Sequence, residues 1–589
     1  MTGLVWVFVL YAVASGLLSV IRTSWSLMTV LVLVFVLCAV ASGLLSVIRT
    51  RWSRVLSLLI GLFATGYGCF YELGIAAEHI QFSVYKANIS FIWTGIARVL
   101  WPTVLVTLIL VYLALFDIKE KHWIEQFVAL SLIGSIGVFL VLTSRTYLSM
   151  FLAWEIMLWS GFFIVRLTTH EKDVVKASLV SNVFWSILFL VAVILLSAYG
   201  WDSSYGAVAE KLTSFNMPSV LGLLLLFLVF LSNMGVFPFH FSMERTLKSV
   251  DPVAAAYLSG ATTKAGLFGM LSMSLFTGAE WLSHFGSLVS LPVGSLVIGG
   301  VVIAGAVYFT HKALKSDDYL TLLSYISSLQ LSCVAIILPF MPMEVDYLPA
   351  AFIGTVMMAY AHSLSQTGLY VAAGWSTENS LSTEGEETKE SVEQLPLWRR
   401  MPYTSVLSLI SGLSATGLPP LIGFGALYMI YTAFFEMDLY VLPGLLLLVT
   451  LCLLLCTIKY LGSFLLVKKP SGIRERGIVS MLVSILISVG ILGLGVFNTS
   501  LQKLLSEPLK SLSEFFVFDF NTQTAAGSWN SLYVFAILIA AVLMAALVWS
   551  FGSSEEAGGS TNSNSEESSP DLPAAVHDSD EFPKEGDNL

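Results

Sequence analysis

The sequence predicts an all-α polytopic membrane protein of about 15 or 16 transmembrane helices, containing two inverted five-helix repeats that each hold a broken helix. Three observations predict it. Hydrophobic residues make up 56% of the 589 residues and charged ones 12%, a balance too apolar for a water-soluble globule. Apolar runs long enough to cross a bilayer recur near 4–21, 30–48, 55–72, 93–116, 123–143, 147–166, 173–199, 217–237, 252–276, 288–310, 319–340, 347–373, 403–434, 440–467, 477–497 and 530–551. Two of these runs are interrupted by proline, at Pro238 and at Pro419-Pro420, five spans apart. Broken spans in matching places of two halves point to a transport site made from repeats, and an odd repeat length inverts one half against the other.

At the N-terminus, residues 1–26 match residues 28–53 at 22 of 26 positions, differing at Gly3, Trp6, Tyr11 and Ser24. One duplicated span is not a repeat architecture. Either a duplication added a helix, so that 1–27 is an extra span, or the chain starts at Met28. Lysine and arginine gather in the loops after even-numbered spans, among them Arg49, Arg51, Lys312, Lys315, Arg399, Arg400, Lys468 and Arg474, while the opposite loops hold few. The positive-inside rule makes the first set cytoplasmic, together with the C-terminus. The net charge of −10 comes largely from an acidic linker at 374–400 and from a tail at 552–589 too polar to bury a core. The stretch SLQKLLSEPLKSLSEFFVF has helical spacing with a polar face and is expected to lie along the membrane interface. Cys38, Cys69, Cys333, Cys452 and Cys456 show no metal-like or disulfide spacing, so no metal or cofactor is expected.

The chemistry concentrates in residues 231–270. There a span breaks at Pro238, a charged turn carries His240, Glu244, Arg245 and Lys248, and the chain re-enters at Asp251-Pro252 on a span with Lys264 near its middle. An ammonium at lipid depth costs at least about 2.5–3.5 kcal/mol, so Lys264 needs a partner or a wet cavity. Glu155, central in YLSMFLAWEIMLWSGFFIV, is the acid that could supply it. Opposite charges about 4 Å apart gain roughly 4 kcal/mol at an effective dielectric near 20. Such a pair serves either a gated proton relay or the fold alone. Further polar residues sit inside later spans: Asn233, Gln330, His362, Gln366 and Lys459, with His362 one turn before Gln366 and Lys459 near-central in the span after the second break.

Several stretches resemble the proton-conducting, antiporter-like membrane subunits of respiratory complex I, of Mrp-type cation/proton antiporters and of membrane-bound hydrogenases. PFH, a charged turn and DPVAAAYLSGATTKAG resemble that family's PxH...PTPVSAxLHxATxxKAG block; FLAWEIMLWSGFFIV resembles FxxWExMxLxSYxLI. VVKASLVSNVFW, ALKSDDYLTLLSYISSLQL, AHSLSQTGLYVAAG and GLPPLIGF resemble further family motifs in the family's order, over roughly residues 117–468. The resemblance implies five-helix bundles at 117–276 and 284–468 joined by a polar axis, flanked by helices at 28–116 and 469–551. It also implies other membrane subunits as partners, lipid around the chain, protons or sodium as cargo, and a multi-pass location in the cell membrane. Redox cofactors would belong to partner subunits, and no nucleic acid is involved.

The departures are equally specific. The family's lysine in the first broken helix aligns with Asn233, its lysine four residues after the histidine with Gln366, and its charged residue after the second break with Leu427. Glu155, Lys264 and His362 match. Three functions stay open: an ion-translocating subunit, a non-conducting structural paralogue in the same kind of complex, and a membrane partner in inorganic-carbon uptake.

Overall fold

The computed structural model describes residues 27–509, apart from short interruptions of which 382–394 is the longest, and three positions between 534 and 539. The expected first span and the tail lie outside the described residues, as does the span at 530–551 apart from those three positions. Eight helices among the described residues are long and apolar enough to cross a membrane.

Helices α1 (Leu27–Ile48) and α2 (Arg51–Leu73) precede a β-hairpin, β1 (His79–Val84) with β2 (Ala87–Ile92), and then α3 (Gly95–Leu115). The hairpin was not among the expected elements. Ile80, Phe82 and Val84 alternate with polar residues, the period-2 pattern of a strand that a search for long apolar runs passes over. The hairpin meets the turn before α5, where Arg145 N donates to Ser90 O at 2.9 Å.

Two sets of five elements then follow with the same order. The first is α4 (Ile124–Thr143), α5 (Tyr147–Thr168), α6 (Lys172–Ser197), then after the short α7 (Tyr205–Thr213) a broken helix of α8 (Met217–Asn233) and α9 (Phe241–Ser249). It closes with α10 (Pro252–Tyr257), a π turn at Leu258–Thr262 and α11 (Thr263–Leu288). The second is α12 (Leu291–Lys315), α13 (Tyr319–Ala335) and α14 (Leu348–Leu381). After the four-residue α15 (Leu397–Arg400) come a broken helix of α16 (Pro402–Ala415) and α17 (Ile422–Glu436), and then α18 (Val441–Leu465). A two-residue strand pair, β3 (Leu395–Pro396) with β4 (Lys468–Lys469), brackets the end of this set, and α19 (Ile478–Val496) and α20 (Asn498–Leu509) follow it. Helix α20 falls in the stretch expected to form an amphipathic helix.

The two breaks are built alike. Gly235 and Gly417 take positive φ, 67° and 77°, and each is followed three residues later by a proline after a cis bond, Phe237-Pro238 and Pro419-Pro420. Gly235 N donates to Ser232 O and Val236 N to Leu231 O; Gly417 N donates to Ser414 O and Leu418 N to Leu413 O, all at 3.1–3.2 Å. This is the glycine-terminated helix end in which amides from beyond the cap fold back onto the last carbonyls. Part of the carbonyls' need for partners at the breaks is thus met inside the turn itself.

Two boundaries differ from expectation. The charged turn after Pro238 is the helix α9, whose Glu244 and Lys248 pair one turn apart at 3.8 Å. The linker placed at 374–400 begins later, because α14 continues to Leu381, and its last residues form β3 and α15.

Candidate functional site

Lys264 is carried in by a helix that is irregular at a defined point. Asp251 caps α10, its carboxylate accepting from Val253 N at 3.0 Å, and is also paired with Lys121 at the start of α4. The π turn at Leu258–Thr262 then displaces one carbonyl from the helical ladder. That opening is used by the neighbouring helices: Ser363 of α14 donates to Gly260 O at 2.7 Å, and Ser259 bonds Ser327 of α13 at 2.8 Å. Gly260 packs closely here: a Cβ would sit 3.0 Å from Thr107 and 3.1 Å from Thr367, so both side chains would have to give way.

Lys264, two residues past the π turn, is fully buried. Its Nζ lies 3.1 Å from His362 Nδ1 and 3.3 Å from Thr263 Oγ1, and His362 Nε2 lies 3.2 Å from Ser327 Oγ. With the lysine charged, Nδ1 accepts from the ammonium and Nε2–H donates to the serine; with the histidine charged, Nδ1–H donates to the lysine amine instead. Two cations 3.1 Å apart in a buried site repel strongly, so the pair holds at most one positive charge, on either the lysine or the histidine. One turn further along α14, Gln366 Nε2 donates to Gln330 Oε1 at 3.2 Å. Lys264 and His362 are thus brought together, and so are Gln366 and Gln330, between α11, α13 and α14.

The expected pairing of Glu155 with Lys264 does not form. The Glu155 carboxylate is half-buried and bonds to Trp159 Nε1 at 3.0 Å and to Ser186 of α6, while Lys264 faces α14. Asn233, at the end of α8, accepts a hydrogen bond from Gly266 N at 3.0 Å and so staples the broken helix to α11. A cavity of about 100 Å³ lies beside it, lined by Trp154, Ser181, Asn182, Ser232 and Asn233 among others.

Two further candidates stand apart. His240 is fully buried among Phe237, Phe241, Tyr308 and Phe309, with neither ring nitrogen hydrogen-bonded; Glu244 approaches Nε2 at 3.6 Å. Glu244 in turn accepts from Tyr325 at 3.0 Å. Lys459 was expected near-central, but it pairs with the exposed Asp317 at 3.1 Å at the end of α12, so its long side chain reaches for water. The sequence reading passed over the serines at 259, 327 and 363. The one signal for them was that Ser327 precedes Gln330 by three residues, on the same helix face.

Known proteins resemble this chain. A family described as NADH:quinone oxidoreductase/Mrp antiporter, TM, matches residues 144–453. One component of the Na(+)/H(+) antiporter of Alkalihalophilus pseudofirmus is 23% identical over 58% of this chain and 65% of its own length. One component of the NADH-quinone oxidoreductase of Escherichia coli is 25% identical over 54% of this chain and 61% of its own length. The chain thus matches just under two thirds of the length of these relatives. Among solved structures, a chain of the Mrp complex from Dietzia sp. aligns with TM-score 0.67 at 15% identity, over 84% of this chain and 98% of that one. A chain of respiratory complex I from Thermus thermophilus aligns at 0.64 and 18% identity, over 82% and 99%. At such identities the structural likeness speaks for the fold, and the family match, which spans more than half of the residues, decides the rest: this chain belongs to the NADH:quinone oxidoreductase/Mrp antiporter transmembrane family.

Proposed function

We propose that the chain is an ion-translocating membrane subunit of a multi-subunit complex of the complex I or Mrp kind, moving protons or exchanging protons for sodium. The observation that supports this reading most directly is Lys264 and His362, wholly buried and 3.1 Å apart, on two helices joined through a π turn. A buried pair limited to one positive charge is a relay. A proton delivered to His362 drives the one on Lys264 onward, and the returning lysine proton empties the histidine. Gln330 and Gln366 extend polar contact to one side, and the cavity at Asn233 offers room for several waters toward the α5–α6 side. The reading includes a cell-membrane location with the C-terminus in the cytoplasm, and partner subunits that supply the driving chemistry.

The test is pH-gradient-driven exchange by the assembled complex in vesicles. Lys264→Ala is expected to slow exchange at least about tenfold, in line with the weight of a positioned proton carrier. Exchange at the unaltered rate would overturn the reading.

A second reading, a non-conducting structural role, is favoured by Asn233. Its amide staples two helices at the position where the family resemblance implies a lysine. Normal coupling in a complex that assembles with both Glu155→Gln and Lys264→Ala would decide for it.

A further inference from the structure

The line from His362 to Gln366 continues past Gln366. Residues four apart stack along one face of a helix, so Tyr370 is the next side chain on that face of α14. Tyr370 and Gln366 are both fully buried, and the Tyr370 hydroxyl and Gln366 Oε1 lack any hydrogen-bond partner. Two buried polar atoms without protein partners, on side chains whose backbone positions are about 6 Å apart along the helix axis, call for a water to satisfy them. Beyond it, Tyr370 lies within electrostatic reach of Tyr460 of α18 and of Asp318. Tyr460 bonds Ser408 of α16 at 2.9 Å, and Asp318 is the exposed cap of α13.

We propose that Gln366, Tyr370 and Tyr460 form an uncharged branch of hydroxyls and water, carrying protons between the Lys264–His362 pair and the aqueous face at Asp318. The branch rests on the chain being an ion-translocating subunit. Its chemistry needs no fixed charge. In each outward transfer the water takes a proton from the Lys264–His362 pair as it gives one to the phenol oxygen of Tyr370, the phenol's own proton leaves to the Tyr460 oxygen, and Tyr460 passes its proton to solvent beside Asp318, so water and both phenols end neutral. A route of this kind suits a chain with glutamine, not lysine, at position 366.

The test uses the assembled complex in vesicles. Tyr370→Phe removes one oxygen and keeps the ring, and co-purification with the partner subunits checks assembly. Exchange is expected to fall at least about tenfold. Replacing Tyr370 by 3-fluorotyrosine, which keeps the hydroxyl but makes it more acidic, is expected to move the pH profile of exchange, a change that a packing role would not produce. If Tyr370→Phe exchanges at the wild-type rate while Lys264→Ala does not exchange, the branch is wrong and the function stands. An unmoved pH profile with 3-fluorotyrosine also overturns the branch. If the wild type carries no protons, the function falls and the branch with it.

Discussion

Asn233 sets the character of the first half of the site. Its side-chain oxygen holds Gly266 N at 3.0 Å, and Gly266 can approach that closely because any Cβ there would lie 2.7 Å from the same oxygen. Asn233→Ala removes this link between the broken helix and α11 and is expected to cost about 0.5–1.5 kcal/mol, read as a lowered thermal midpoint of the purified protein. Asn233→Asp keeps the acceptor and is expected to lose less. The buried polar residues Lys264, His362, Gln330 and Gln366 stand out in the sequence because polar groups at lipid depth are rare and need partners. Their partners do not. Lys264 finds His362 across 98 residues of chain, a choice made by helix packing, whereas the assumed partner Glu155 is held by Ser186 and Trp159. Lys459 looked near-central by position, yet its flexible stem lets the ammonium leave the bilayer for Asp317.

At the scale of elements, the glycine of each break carries the turn. Gly417 has φ 77°, and a Cβ there would lie 2.3 Å from Leu427 Cδ1. Gly417→Ala is expected to destabilise by at least about 1–2 kcal/mol from backbone conformation alone. Gly444, inside α18 with nothing within 4 Å, serves as the control. Gly444→Ala is expected to be neutral or stabilising by up to about 1 kcal/mol, and thermal unfolding of the two variants side by side checks both. The breaks themselves were readable from Pro238 and Pro419-Pro420, and so were the helices among the described residues, since each is written in local composition. The π turn before Lys264 was not. It is met by Ser363, which bonds the Gly260 carbonyl, and by Ser327, which bonds the Ser259 hydroxyl, contacts from two other helices that no local pattern records.

Across the whole molecule, burial separates inner from outer helices. Val180, Phe184 and Ile187 of α6 are exposed, as are Leu447, Leu451 and Leu455 of α18 and Leu482 and Leu486 of α19. Helix α14, which carries His362, Gln366 and Tyr370, is buried from Ala350 to Ser376 except at Tyr360. Its 34 residues span about 51 Å at 1.5 Å per residue, well beyond a hydrocarbon core of about 30 Å. A rod this long, sheathed by its own neighbours, meets almost no acyl chain. Thinner or thicker bilayers would tilt or strain the outer helices and leave the inner rod where it is. Reconstitution in short-chain and long-chain lipids is thus expected to shift the melting temperature while changing the exchange rate by less than about twofold.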